Sequence, residues 1–187
     1  LRGVRQVPSP NCDDRPAGVT PELIVIHGIS LPPGEFGGPH IDHLFTNALD
    51  PDAHDFFREI AGLRVSSHLL IRRTGEVVQY VPLQRRAWHA GKSSYRGRQQ
   101  CNDFSVGIEL EGTDEQDYTA AQYRRLATLI RVLRRGMPTL ARAPVVGHSD
   151  VAPGRKTDPG PAFDWARLQA QLGPAPARRG QSPGRSR

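Results

Sequence analysis

The chain has 187 residues and a mass of 20.6 kDa, enough for one domain with a sizeable core and too little for two large ones. Hydrophobic residues at 37% and charged residues at 24% argue against wholesale disorder, and the longest apolar runs, such as Leu23 to Ile26, are too short to span a bilayer. The net charge of +6 is unevenly placed: Arg178, Arg179, Arg185 and Arg187 contribute +4 in a final segment without an acid, so the body is near +2 and no nucleic-acid partner is expected.

Residues 1–20, rich in Pro, Asp and Gly, read as an irregular arm. Leu23 to Ile26 reads as a buried strand ending at His27. Residues 30–40 hold too much Pro and Gly for a helix and form a long loop, expected to be mobile and to gate a neighbouring site. Asp52 to Ile60 reads as a short helix. His68 to Arg73 and Glu76 to Val81 flank Thr74-Gly75, a hairpin signal. Ser105 to Leu110 is a further strand, in which Val106, Ile108 and Leu110 take one face and Glu109 and Glu111 the other.

Thr119 to Arg135 is the strongest helix. Thr119 and Gln122 have capping-box spacing, and Tyr123, Leu126, Ala127, Ile130 and Leu133 form an apolar stripe. Its arginines, Arg124, Arg125, Arg131, Arg134 and Arg135, lie mostly off that stripe and read as a solvated face. Gly136 and Pro138 end it. Pro144 to Gly147 is a short strand leading to His148, and Phe163 to Leu172 a last helix. Residues 174–187 are an Arg/Pro/Gly-rich tail expected to be disordered, leaving 1–173 as the folded domain. Interspersed strands and helices with a hairpin among them predict a mixed α/β fold, one central mixed sheet flanked by helices.

Cys12 and Cys101 form no C-x-x-C pair, so free thiols and a reducing compartment are expected. No secretory hydrophobic stretch opens the chain, and the expected location is the cytoplasm.

Two histidines at strand ends, His27 and His148, and Asp158 in the turn Lys156-Thr-Asp-Pro-Gly-Pro161 are residue types that hold Zn²⁺ and leave a fourth position open for water. Taken singly, each histidine also reads as a hydrogen-bonded structural residue and Asp158 as a turn former, and the spacing of His27 from His148 is no local motif. Glu109 lies on a strand face that is either site or solvent. Lys156 is one of only two lysines.

Longer stretches connect these residues. His27-Gly-Ile-Ser-Leu-Pro-Pro-Gly-Glu-Phe-Gly-Gly38, Leu63-Arg-Val-Ser-Ser-His68, Gln79-Tyr-Val-Pro82, Arg86-Ala-Trp-His-Ala-Gly91, the run from Cys101 to Asp114, Gly147-His148 and the run from Arg155 to Trp165 match in order the AmpD family. The chain resembles these cytoplasmic zinc amidases of cell-wall recycling from Val7 to about Leu168. The resemblance implies a sheet flanked by helices, as in peptidoglycan-recognition proteins. It implies that His27, His148 and Asp158 bind zinc, that Glu109 is the catalytic acid/base, and that Lys156 supports the transition state. It implies cleavage of the amide between the lactyl group of 1,6-anhydro-N-acetylmuramic acid and L-Ala, with a soluble muropeptide as the partner and neither a membrane nor an obligate protein partner.

Around those residues, Trp88 reads as a sugar-stacking ring or as core packing, and His89 beside it as substrate-binding. Arg64 reads as a partner for a peptide carboxylate or as a surface residue. His68 reads as structural or as supporting a ligand. Gly28 stands where the family commonly has Asn, and Gln100 where it commonly has Arg.

Overall fold

The structure, a computed structural model, describes residue 1 and residues 3–173; the expectation for the tail at 174–187 lies outside the described residues. The strands are β1 (Arg5–Gln6), β2 (Cys12–Asp13), β3 (Leu23–Ile29), β4 (Leu69–Ile71), β5 (Val77–Gln79), β6 (Arg86–Ala87), β7 (Ser94–Tyr95), β8 (Arg98–Gln99), β9 (Ser105–Glu111) and β10 (Val145–Gly147). The helices are α1 (His40–Phe45), α2 (Asp55–Ile60), α3 (Ala120–Gly136), α4 (His148–Val151) and α5 (Trp165–Leu172). No helix among the described residues is long and apolar enough to cross a membrane.

Six strands form one mixed sheet in the order β1-β5-β4-β9-β3-β10. β4, β9, β3 and β10 are mutually parallel, and β5 runs antiparallel to β4 through the Thr74-Gly75 turn, where Gly75 has φ +88°. The fold class is therefore the mixed α/β sheet that the sequence predicts.

Alternation distributes the side chains. Ile24 and Ile26 of β3 and Val106, Ile108 and Leu110 of β9 pack beneath Tyr123, Leu126, Ile130 and Leu133 of α3 and Leu168 of α5. Leu23 and Val25 face the opposite side with Cys101, Phe104 and Val151, and Leu70 and Val78 meet α1 and α2 there. α3 starts with the expected capping box between Thr119 and Gln122. Arg124, Arg125 and Arg135 on it are exposed as expected, while Arg131 and Arg134 are half-buried. Arg125, Arg131 and Arg134 donate to the carbonyls of Gly75, Gln171 and Ala143, pinning neighbouring segments.

Two expectations are corrected, and one helix stands where no element was expected. The N-terminal arm is ordered: β1 extends the main sheet beside β5, and β2 pairs with β6. The first strand continues two residues past His27, to Ile29. Residues 40–45 form α1, with Ile41, Leu44 and Phe45 buried at helical spacing.

Candidate metal centre and active site

The parallel register places the candidate residues. His27 of β3 pairs with Glu109 of β9 across neighbouring strands, so both side chains leave the same face near the carboxyl ends of those strands. Gly147 of β10 pairs with Ile26, which sets His148, the first residue of α4, next to His27. The turn carrying Asp158 is held from two sides: the Ser149 N–H donates to the Asp158 carbonyl at 3.0 Å, and the Tyr118 hydroxyl donates to the Pro159 carbonyl at 3.0 Å.

Three ligand atoms converge. His27 Nδ1 lies 3.0 Å from His148 Nδ1 and 3.2 Å from Asp158 Oδ2, and His148 Nδ1 lies 3.1 Å from the same oxygen. Zinc bonds of about 2.0–2.1 Å put the corners of a tetrahedron about 3.3 Å apart, so this triangle fits one zinc ion. His148 Nε2 faces the Ala90 carbonyl at 3.4 Å. A carbonyl oxygen only accepts, so Nε2 carries the proton and Nδ1 offers its lone pair to the centre. Two imidazoles and a carboxylate form a donor set that suits zinc and leaves a fourth position. His27 is 2% exposed, and burial pushes its pKa down to about 4, which keeps it neutral and able to ligate at neutral pH.

The three residues line a cavity of about 220 Å³ together with Glu109, Lys156, Trp88, His89 and the apolar Ile29, Leu44, Phe45, Leu63 and Val65. A larger cavity of about 470 Å³ lies near Arg5 and Asp42, but it holds none of the converging ligands. Glu109 is 7% exposed and its carboxyl has no hydrogen-bond partner among the described residues. Burial, and secondarily the charge of Asp158, hold its pKa well above the usual carboxylate value. Lys156 is exposed at the cavity edge. Leu63, 48% exposed, is an apolar part of the cavity wall.

The remaining sequence candidates divide. Trp88 lines the cavity and is oriented by a bond from its indole Nε1 to Asp13 Oδ1 at 3.1 Å. His89 is 9% exposed and both ring nitrogens are engaged, Nδ1 at 2.9 Å from His27 Nε2 and Nε2 at 3.1 Å from Ser105 Oγ. Its ring nitrogens are thus committed within the protein, and it lines the cavity while standing behind a candidate ligand. Burial holds its pKa well below the ordinary histidine value. Arg64 is exposed and does not line the cavity, whereas Leu63 and Val65 on either side of it do. His68 is structural: Nδ1 accepts from the Gly107 N–H at 3.0 Å and Nε2 faces the Arg85 carbonyl at 3.0 Å.

None of residues 30–40 lines the cavity. Glu111 holds this loop by accepting from the Gly37 N–H at 2.7 Å, and Arg72 donates to the Gly38 carbonyl at 2.9 Å. Glu111 is thereby assigned to loop support, at 1% exposure, and not to solvent.

Sequence reasoning missed Tyr118, Ser105 and Gly107. A Cβ at Gly28 would run into the Tyr118 hydroxyl, so with Tyr118 in this place there is no room for the Asn common in the family. An isolated glycine inside an apolar strand signals a close approach, and Gly107 carried that signal. Tyr118 carried none.

Comparison with known proteins agrees with this site. The sequence profile of the N-acetylmuramoyl-L-alanine amidase family matches residues 17–161. The chain is 64% identical over 169 residues to the 1,6-anhydro-N-acetylmuramyl-L-alanine amidase AmpD of Escherichia coli K12, covering 90% of this chain and 92% of the relative. A crystal structure of a selenomethionine derivative of AmpD superposes with a TM-score of 0.89 at 60% identity, covering 92% of this chain and 96% of that one. The E. coli amidase AmiD, solved with the substrate anhydro-N-acetylmuramic acid-L-Ala-D-γ-Glu-L-Lys, superposes with a TM-score of 0.58 at 31% identity, covering 84% of this chain and 60% of that one.

Proposed function

The chain belongs to the AmpD family of 1,6-anhydro-N-acetylmuramyl-L-alanine amidases, and from that membership we propose a zinc-dependent hydrolysis of soluble anhydromuropeptides in peptidoglycan recycling, carried out in the cytoplasm. The observation that carries the metal part is the triangle of His27 Nδ1, His148 Nδ1 and Asp158 Oδ2. The free Cys12 and Cys101 support a reducing compartment.

His27, His148 and Asp158 would hold the ion. Zinc bound there supplies Lewis acidity and brings the pKa of water toward ~7. Glu109 takes the proton of the attacking water and passes it to the departing L-Ala nitrogen, so one carboxyl serves as base and then as acid. Its burial raises its proton affinity, and its freedom from hydrogen bonds among the described residues leaves both oxygens for this transfer. Lys156 places its ammonium at the cavity edge, where it offsets the negative charge developing on the carbonyl oxygen. Trp88 and Leu63 supply apolar walls for the sugar and lactyl groups.

The test is product identification with anhydro-N-acetylmuramyl tripeptide. Wild type releases the intact tripeptide and anhydro-N-acetylmuramic acid, and turns over this substrate faster than intact sacculi. Glu109→Ala keeps its zinc and loses about 10²- to 10⁴-fold in kcat. Cleavage at another bond, or substantial turnover by the variant, contradicts the assignment.

A further inference from the structure

Behind His27 runs a chain of three hydrogen bonds whose direction is fixed. His27 Nε2 lies 2.9 Å from His89 Nδ1, His89 Nε2 lies 3.1 Å from Ser105 Oγ, and Ser105 Oγ lies 2.5 Å from the Cys101 carbonyl oxygen. All four residues are buried. The carbonyl can only accept, so the single Ser105 proton goes to it. Ser105 Oγ is then the acceptor for His89, and His89 Nε2 carries a proton. Among the described residues His89 has only His27 and Ser105 as hydrogen-bond partners through its ring, and no carboxylate bonds to it, so it is neutral and its Nδ1 accepts. His27 Nε2 must therefore donate, which leaves the lone pair on Nδ1, the atom facing His148 and Asp158. The polarity is set from the carbonyl outward, with no reference to a metal.

Packing holds the same arrangement. A Cβ at Gly107 would lie 2.5 Å from His89 Cγ, 2.7 Å from Nδ1 and 2.8 Å from Cδ2, so the ring rests on bare backbone in the middle of β9. Ser105, Gly107 and Glu109 share one face of that strand. One strand thus supplies the anchor of the chain, the seat of the His89 ring and the candidate acid/base.

We propose that His89 and Ser105 are positioning residues which, anchored on the Cys101 carbonyl, lock His27 in the tautomer that aims Nδ1 at the metal. The inference rests on the zinc reading above. Its test is the zinc dissociation constant, measured by competition with a chromophoric chelator, together with the d–d absorption of the cobalt(II)-substituted protein. Ser105→Ala and His89→Leu are each expected to weaken zinc binding about 10- to 100-fold and to shift the cobalt bands, because the first removes the acceptor that fixes the His89 tautomer and the second leaves the outward nitrogen of His27 without its partner. His89→Gln, which keeps an acceptor and a donor on one side chain, is expected to recover most of the affinity. Wild-type affinity and an unshifted spectrum in Ser105→Ala overturn the proposal, and this variant alone decides if His89→Leu does not fold. A wild-type protein that binds no zinc overturns the metal reading itself, which is a different result.

Discussion

The Glu109 carboxyl is buried without a hydrogen-bond partner among the described residues, beside the charge of Asp158, and its proton affinity is raised mainly by burial. In the metal-free protein this has a thermodynamic sign. Below the unfolded value of 4.5 the carboxyl is protonated in both states and costs nothing. Above it the unfolded chain ionises while the folded chain resists, so stability falls as pH rises toward the folded pKa. Metal-free Glu109→Gln is thus expected to match wild type near pH 4 and to melt at a higher temperature near pH 7, the gap widening as pH rises. Each tenfold difference in ionisation corresponds to about 1.4 kcal/mol. Calorimetric melting of both proteins across this range checks it, since other titrating groups such as His27 cancel in the difference. A constant gap would show that the carboxyl is not held protonated by the fold. Alternation in Ser105 to Leu110 already places Glu109 opposite the core-facing residues, but whether that face met solvent or a site depended on what covered it, which strand periodicity does not encode.

Between β9 and the loop at 30–40, Glu111 and Arg72 act as a buried fastening. They pair at 3.0 Å with side chains 2% and 7% exposed, and Arg72 also pairs with Asp42 of α1 at 3.1 Å. Tyr80 donates to the same Asp42. Glu111→Ala leaves the Arg72 guanidinium short of a partner and releases the Gly37 amide. It is expected to cost about 3–5 kcal/mol in urea unfolding and to remove exchange protection at Gly37. A loss below 1 kcal/mol, with Gly37 still protected, would remove Glu111 as the fastening. The elements with strong local signals, β3, the β4–β5 hairpin, β9 and α3, were readable in advance. Two-residue strands such as β1 and β2 carry no periodicity, and their partners lie about 73 to 75 residues away, from Arg5 to Val78 and from Cys12 to Ala87. Helix α1 had its signal in Ile41, Leu44 and Phe45, but the Pro- and Gly-rich run before it obscured the start.

At the scale of the molecule, three adjacent parallel strands deliver the chemistry to one end of a sheet. β9 brings Glu109, β3 brings His27, and the end of β10 brings His148. The strand order β9-β3-β10 makes neighbours of histidines 121 positions apart, and nothing in the local pattern of either strand states that order. The family resemblance supplied the grouping, and the register gives its physical cause. What neither resemblance nor periodicity contained was the support behind the site, in which Tyr118 holds the Pro159 turn and Ser105 holds His89. Those contacts exist only once the sheet has assembled.

The most direct test is metal removal and return, followed by release of the stem peptide from anhydro-N-acetylmuramyl tripeptide. Protein stripped by a chelator should be folded and inactive, and one equivalent of zinc per chain should restore full turnover. Undiminished cleavage by protein shown to contain no metal would contradict the account.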